Sequence, residues 1–267
     1  MPIHPTAVID KTAQLDTSVE VGPYAVIGAH VRIDADSMVE AHASVKGPTF
    51  IGKRNVVSSF AAVGGDPQDI SYKKGDASEL HIGDDNKIRE YATLQRGTQK
   101  GDGRTLVGNG NLFMAYSHVA HDCRVGDHVI MANVATLAGH VEIENHATLG
   151  GLVAVQQFCR IGAYSYIGGT SGITFDVPPY VILEGTRNQM RIAGLNKVGL
   201  RRNGFSRETI GQLDKAFRLL FRSPDLLLQD ALTEARASAP DCPEVIYLVE
   251  FIKNSKNGVV RRALGED

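Results

Sequence analysis

Apolar side chains fall at every sixth position from the amino terminus: Ile3, Ile9, Leu15, Val21, Ile27, Ile33, Val39, Val45, Ile51, Val57 and Val63. A second series, displaced in phase, runs Val107, Phe113, Val119, Val125, Met131, Leu137, Ile143, Leu149, Val155, Ile161, Ile167 and Ile173, with Ile82, Ile88 and Leu94 between the two. A period of six matches neither the 3.6-residue repeat of an amphipathic helix nor the alternation of a hairpin strand. Several members are followed by glycine, as in Ile27-Gly28, Ile51-Gly52, Val107-Gly108 and Ile161-Gly162. Each hexad therefore predicts one short strand and one corner, and three of them close a triangular coil. Coils stacked about 4.8 Å apart let each backbone group pair with the coils above and below, and one apolar side chain per strand fills the narrow interior. A β-sandwich would place its turns about 8–12 residues apart and irregularly, which the pattern does not do.

The period does not set the hand of the coil, because ordinary crossover connections are right-handed. The chain resembles the hexapeptide-repeat proteins, whose coils are the left-handed exception. The expected fold is thus mainly β, a left-handed parallel β-helix over residues 1–185, followed by a small helical domain over 186–267. Two stretches rich in Gly, Asp and Lys, 64–79 and about 97–105, shift the repeat phase and read as loops thrown outward from the prism. Such loops often carry function, though solvated spacers are as common. After Ile173 the repeat stops at Val177-Pro178-Pro179-Tyr180. Ser206 is placed to cap a helix through about Arg222, with Glu208 in its first turn. Ser223-Pro224 predicts a second helix start, and Cys242-Pro243-Glu244 a third ending near Gly258.

Composition narrows the function classes. The 267 residues carry a formal net charge of -2, so neither nucleic acid nor an anionic membrane surface is an expected partner. The start, Met1-Pro2-Ile3-His4-Pro5, has no basic and apolar leader, and no stretch approaches the roughly 20 apolar residues of a span. A cytoplasmic location without stable membrane insertion is expected. Cys123, Cys159 and Cys242 form no CxxC pair and read as reduced thiols.

In an eighteen-residue coil, residues eighteen apart stand in one column. One column contains His121, Gly139 and Gln157, and its neighbour contains Asp122, His140 and Phe158. Acyl transfer to a hydroxyl needs a base for the proton and an N–H donor for the tetrahedral oxyanion. His121 suits the first role, Gly139 could present its amide unobstructed, and Asp122 offers an orienting carboxylate. A lone surface histidine is usually only solvated. Here Ser117-His118-Val119-Ala120-His121-Asp122-Cys123 puts two histidines around one hexad, with His140 on the next coil, and the functional reading outweighs the bland one. A third column, Asn133, Gly151 and Gly169, is equally consistent with a shallow channel for a long ligand and with a tight corner.

Along almost its full length the chain resembles the UDP-N-acetylglucosamine 3-O-acyltransferases, which open lipid A biosynthesis. The resemblance rests on Pro67-Gln68-Asp69, Ile88-Arg89-Glu90, Arg96-Gly97-Thr98, His118-Val119-Ala120-His121-Asp122-Cys123, Thr136-Leu137-Ala138-Gly139-His140, Gln157-Phe158-Cys159, Asp176-Val177-Pro178-Pro179-Tyr180 and Gly204-Phe205-Ser206. It implies transfer of an (R)-3-hydroxyacyl chain from acyl carrier protein to the glucosamine 3-hydroxyl of UDP-N-acetylglucosamine, in clefts between subunits of a homotrimer, with no cofactor or metal. By the same resemblance His121 is the general base, Asp122 its orienting partner and Gly139 the oxyanion donor, while His118 and His140 position substrates. Asp69 would touch the sugar, and Gln157, Asn196 and Arg202 the nucleotide or its phosphates, the arginine fork suiting a diphosphate. Gly169 matches the position that sets acyl length. Ser71, Gln156 and Val198 depart from the family's pattern, and the acceptor stays open between the 3-hydroxyl sugar and its 3-amino analogue. Rival readings are another hexapeptide acyltransferase, a scaffold trimer, and a γ-type carbonic anhydrase with zinc on His118, His121 and His140.

Overall fold

A computed structural model describes residues 3–186 and 189–261. Among these the chain forms strands β1 (Val8–Ile9) to β27 (Arg191–Leu195) and helices α1 (Lys197–Arg202), α2 (Arg207–Phe221), α3 (Leu228–Ser238) and α4 (Pro243–Lys253). Most strands are two residues long, the first side chain outward and the second inward, as in β4 (Val26–Ile27) and β16 (His118–Val119). They line up as three sheets of 9, 8 and 10 strands, the faces of a triangular prism, with every third strand neighbouring in space. Partners stand eighteen residues apart, for example Val26 with Ser44 and His118 with Thr136. Parallel pairing of such short strands is stable only because each is buried between coils and closed on both sides.

The six-residue apolar series is the interior. Ile27, Ile88, Leu94, Phe113, Val119, Met131, Leu137 and Leu149 are each at most 1% exposed, and each such burial contributes about 1.5–3 kcal/mol. Ile3 is 41% exposed, since no coil covers the first one. The corners are turned by residues in the left-handed region, among them Asp122 (φ 61°), His140 (φ 61°) and Phe158 (φ 65°). Each such non-glycine corner costs about 1–3 kcal/mol. The repeated hydrogen bond from coil to coil, such as His140 N–H to the His121 carbonyl at 3.0 Å, helps to offset that. On another edge, ring stacking links Tyr24, His42, Phe60, Tyr91 and Tyr116.

Two loops leave the prism, between β10 and β11 and between β13 and β14. Ala62 in β10 (Ala62–Gly65) pairs with Thr93 in β13 (Thr93–Gln95), and Thr93 with His118, both offsets longer than eighteen. The first loop, between β10 and β11 (Glu79–Ile82), is pinned by Arg96, whose side chain is 7% exposed and bonds Asp66 and the Gly47 carbonyl. The second loop runs from β13 to β14 (Arg104–Val107).

Beyond β25 (Gly172–Ile173) the structure departs from the sequence reading. β26 (Val181–Glu184) continues the prism within residues 1–185, but β27, beyond that bound where only helical signals are expected, folds back on it antiparallel. Ser206 does cap α2, accepting from Thr209 N–H at 3.0 Å. Ser223-Pro224 starts no helix. Its hydroxyl is taken by the Arg218 carbonyl at the end of α2, the chain turns, and α3 begins at Leu228. α4 stops at Lys253 rather than near Gly258, because Asn254 caps it and Ser255 and Asn257 turn back to Asp176. α4 is docked on the prism by Tyr247, whose hydroxyl bonds Glu144, and by the Arg160 guanidinium lying 4.4 Å over the Phe251 ring.

Candidate active site

The register decides which side chains meet. His121 and Asp122 form the corner between β16 and β17 (Arg124–Val125), and the next coils bring Gly139-His140 and Gln157-Phe158 to the same edge. The His121 ring lies flat over Gly139. A Cβ at residue 139 would sit 2.5 Å from His121 Cε1, 2.9 Å from Nε2 and 3.1 Å from Nδ1, so only glycine leaves room for the imidazole. Among the described residues the Gly139 N–H meets no acceptor.

His121 Nδ1 is 2.8 Å from Asp122 Oδ2, and the Asp122 side chain is 3% exposed. That carboxylate is held from the second loop. Thr98 N–H donates to Oδ1 at 2.8 Å and Thr98 Oγ1 to Oδ2 at 2.6 Å, while the Asp122 N–H donates to Thr105 Oγ1 at 2.8 Å. Gly101 closes over it, because a Cβ there would lie 2.4 Å from Oδ1. A buried carboxylate with several donors keeps one geometry. His121 Nδ1 can then carry the proton, leaving Nε2 as the basic nitrogen.

His140 stands across the site, Nε2 3.5 Å from Asp122 Oδ2 and its ring edge-on to His121 at 5.3 Å. Phe158 stacks on its other face at 4.6 Å. Burial holds the His140 pKa below that of a free imidazole, against the pull of Asp122. His118 Nδ1 shares a 2.6 Å hydrogen bond with Thr93 Oγ1, and burial, followed by the proximity of His121, lowers its pKa as well. Both rings are therefore neutral near pH 7. The Cys123 thiol donates to the Ala138 carbonyl and is pushed up to about 12 by burial, which leaves it inert.

Asp69 reaches the same region from the first loop. The Ser71 hydroxyl and Lys100 hold its carboxyl well below the usual range, with Lys100 Nζ at 2.9 Å bridging the two loops. A cleft of about 610 Å³ runs beside Asp122, His140 and Phe158 toward Arg124, Arg160 and the chain after α4.

Four of the residues singled out in the sequence stand apart from His121, or make no contact with it, within one chain. Gln157 is exposed on the same edge without a hydrogen-bond partner among the described residues. Gly169 lies on a different edge, between β24 (Tyr166–Ile167) and β25, where a Cβ would come within 3.2 Å of the Gly151 carbonyl. Asn196 caps α1, its Oδ1 accepting from Gly199 N–H and its Nδ2 donating to the Tyr164 carbonyl on the third edge. Arg202 ends α1, exposed. Conversely, Thr93, Thr98, Gly101 and Thr105 were not read as site residues. Thr98 lay inside a quoted motif, but the loop breaks the eighteen-residue register that would have tied it to Asp122.

His121, Asp122 and His140 also offer ligand atoms within 4.8 Å of one another. That trio has Asp122 where the zinc reading has His118.

The family model described as UDP N-acetylglucosamine O-acyltransferase, domain 2, matches residues 176–260. An acyl-[acyl-carrier-protein]–UDP-N-acetylglucosamine O-acyltransferase of Syntrophobacter fumaroxidans is 49% identical over 98% of this chain and 100% of its own. Among solved structures, UDP-N-acetylglucosamine O-acyltransferase from Moraxella catarrhalis superposes with a TM-score of 0.92 at 44% identity, covering 98% of this chain and 100% of that one. The Acinetobacter baumannii protein gives 0.92 at 42% identity, with the same coverage. With identity at this level end to end and the same prism, the chain belongs to the acyl-[acyl-carrier-protein]–UDP-N-acetylglucosamine O-acyltransferase family.

Proposed function

We propose that this protein transfers an (R)-3-hydroxyacyl group from acyl carrier protein to the glucosamine 3-hydroxyl of UDP-N-acetylglucosamine, the first step of lipid A biosynthesis, with His121 as general base. The observation that carries the mechanism is the His121 ring, tied through Nδ1 to Asp122 and lying over Gly139. Nε2 takes the proton of the sugar hydroxyl as its oxygen attacks the thioester carbonyl. The tetrahedral oxyanion accepts from the Gly139 N–H, and its collapse breaks the C–S bond and expels the carrier thiolate, which takes the proton from the His121 imidazolium and leaves as the thiol. Asp122 stabilises the transient imidazolium, and the neutral His118 and His140 hydrogen-bond substrate oxygens without competing for the proton.

Asp69, on its loop, is read as a sugar contact. Gly169, Asn196 and Arg202 lie away from the His121 edge of their own chain. They serve the site when a second copy packs against it, which supports a homotrimer with Gln157, Asn196 and Arg202 toward the nucleotide and Gly169 at the acyl end. Exposed outward apolar residues such as Val26, Met38, Ile130 and Tyr166 suit such packing. No helix among the described residues is long and apolar enough to cross a membrane, which agrees with action in the cytoplasm on soluble substrates.

The test is acyl transfer from a panel of 3-hydroxyacyl carrier proteins to UDP-N-acetylglucosamine and to its 3-amino analogue, using metal-stripped wild type and His121→Ala. Metal-independent transfer that disappears in the variant, with the oligomer intact, is the expected result. Transfer only to the amino sugar would reassign the acceptor, and no transfer to either would return the reading to another hexapeptide acyltransferase and then to the zinc site.

A further inference from the structure

The chain that follows α4 passes against the catalytic corner at Asn257. Asn257 Nδ2 donates to the Phe158 carbonyl at 2.6 Å and to Asp176 Oδ1 at 3.1 Å. Asp176 is 3% exposed and is satisfied on every side. Its Oδ1 also accepts from Arg160 N–H at 2.8 Å, its Oδ2 accepts from Ser255 Oγ at 2.6 Å, and its own N–H donates to the Gly258 carbonyl at 3.0 Å. Phe158 in turn is gripped at three points. Its N–H is on the Gly139 carbonyl at 3.3 Å, its carbonyl is on Asn257, and its ring is against His140.

We propose that Asn257, seated by Asp176 and Ser255, is a positioning residue for acyl transfer: it fixes the Phe158 corner and, through the Phe158 ring, the His140 imidazole. The assignment rests on the acyl-transfer reading above. Phe158 is 57% exposed, so packing alone does not hold its ring, and its corner backbone is in the left-handed region. A hydrogen bond to that carbonyl is what keeps the stacked ring from swinging away. The same bond is not needed to dock the helical region. Tyr247 with Glu144, Arg160 over Phe251, and buried Val245, Leu248, Val249 and Ile252 do that from α4 itself. His140 is thus positioned from both sides, by Asp122 within its own edge and by the tail through Phe158.

The experiment compares wild type, Asn257→Ala, Asn257→Gln, Phe158→Ala and the double variant Asn257→Ala/Phe158→Ala for kcat, KM, Tm and the imidazole NMR signals of His140. Asn257→Ala is expected to lower kcat/KM by roughly 10- to 100-fold, since a displacement near 1 Å at a catalytic group costs about that much. Its Tm should stay near wild type and its His140 signals should move. Asn257→Gln should recover part of the rate. In the Phe158→Ala background the Asn257 substitution should add little, because the ring through which it acts is gone. An unchanged kcat/KM in Asn257→Ala, or an undiminished loss in the Phe158→Ala background, overturns the proposal. Should wild type transfer no acyl group, the acyl-transfer reading fails instead. The His140 signals then decide the positioning role alone, and signals that do not move overturn it.

Discussion

Gly139→Ala is the most informative single substitution, because the structure separates two things glycine does there. Its N–H, proposed as the oxyanion donor, survives the change; the space for the His121 ring does not. The new methyl group would meet His121 Cε1 at 2.5 Å and Nε2 at 2.9 Å, whereas carbon atoms in ordinary contact stay about 3.5–4.0 Å apart. The imidazole must therefore retreat by about 1 Å, stretching its 2.8 Å bond to Asp122. Misplacing a catalytic group by that much costs about 100-fold, or about 2.7 kcal/mol of barrier. The atoms struck belong to a side chain, and residue 139 has ordinary backbone angles, so the prism itself should be undisturbed. The assay is kcat/KM for the acyl donor, beside Tm and the double variant Gly139→Ala/His121→Ala. The double variant should be no slower than His121→Ala alone, since residues acting as a unit are not additive. Activity within a few-fold of wild type would refute the ring-over-glycine argument. A Tm loss above about 4 °C, near 1 kcal/mol for a chain of this size, would show the backbone absorbing the clash instead.

Thr98→Val removes the hydroxyl that donates to buried Asp122 Oδ2 at 2.6 Å. A lost bond to a buried charge costs about 1.5–3 kcal/mol, so Tm should fall by several degrees and kcat with it, while Thr98→Ser stays near wild type; an unaltered kcat would remove Thr98 from the support of the base. Burial, then His121, lowers the His118 pKa in the folded state, so in the window just below pH 6.5 the unfolded chain binds more protons than the native one. The stability tied to neutral His118 is full above that pH and is lost as pH falls through the native pKa. Tm measured from pH 8 to pH 5 should decline less steeply in His118→Gln than in wild type, and parallel curves would contradict the shift. Gly169→Met should move the acyl preference toward shorter chains in a competition assay with mixed carrier proteins, whereas an identical chain-length profile would take Gly169 out of the acyl path.

The prism was legible in the sequence because its physics is one-dimensional. A single apolar residue per strand, repeated every six positions from Ile3 to Val63 and from Val107 to Ile173, leaves one way to bury itself. The same arithmetic stands His121 over Gly139 and Asp122 beneath His140. The register is lost wherever the chain leaves the coil. Thr98, which clamps Asp122, sits on a loop of irregular length, and Ser255 and Asn257 reach Asp176 across about eighty residues of sequence. The helical region was read from caps alone, and caps compete: Ser223 spent its hydroxyl on the helix before it rather than starting the next. β26 keeps the six-residue spacing from Val177 to Leu183 after a shift of phase, whereas β27 carries no such repeat, and it is antiparallel pairing with β26 that makes it a strand. Periodicity thus determined the scaffold and the pair of columns that hold His121, because each contact there repeats at a constant separation. Only the tertiary structure decided how His121 and Asp122 are held, because those hydrogen bonds join residues whose separation in sequence obeys no period.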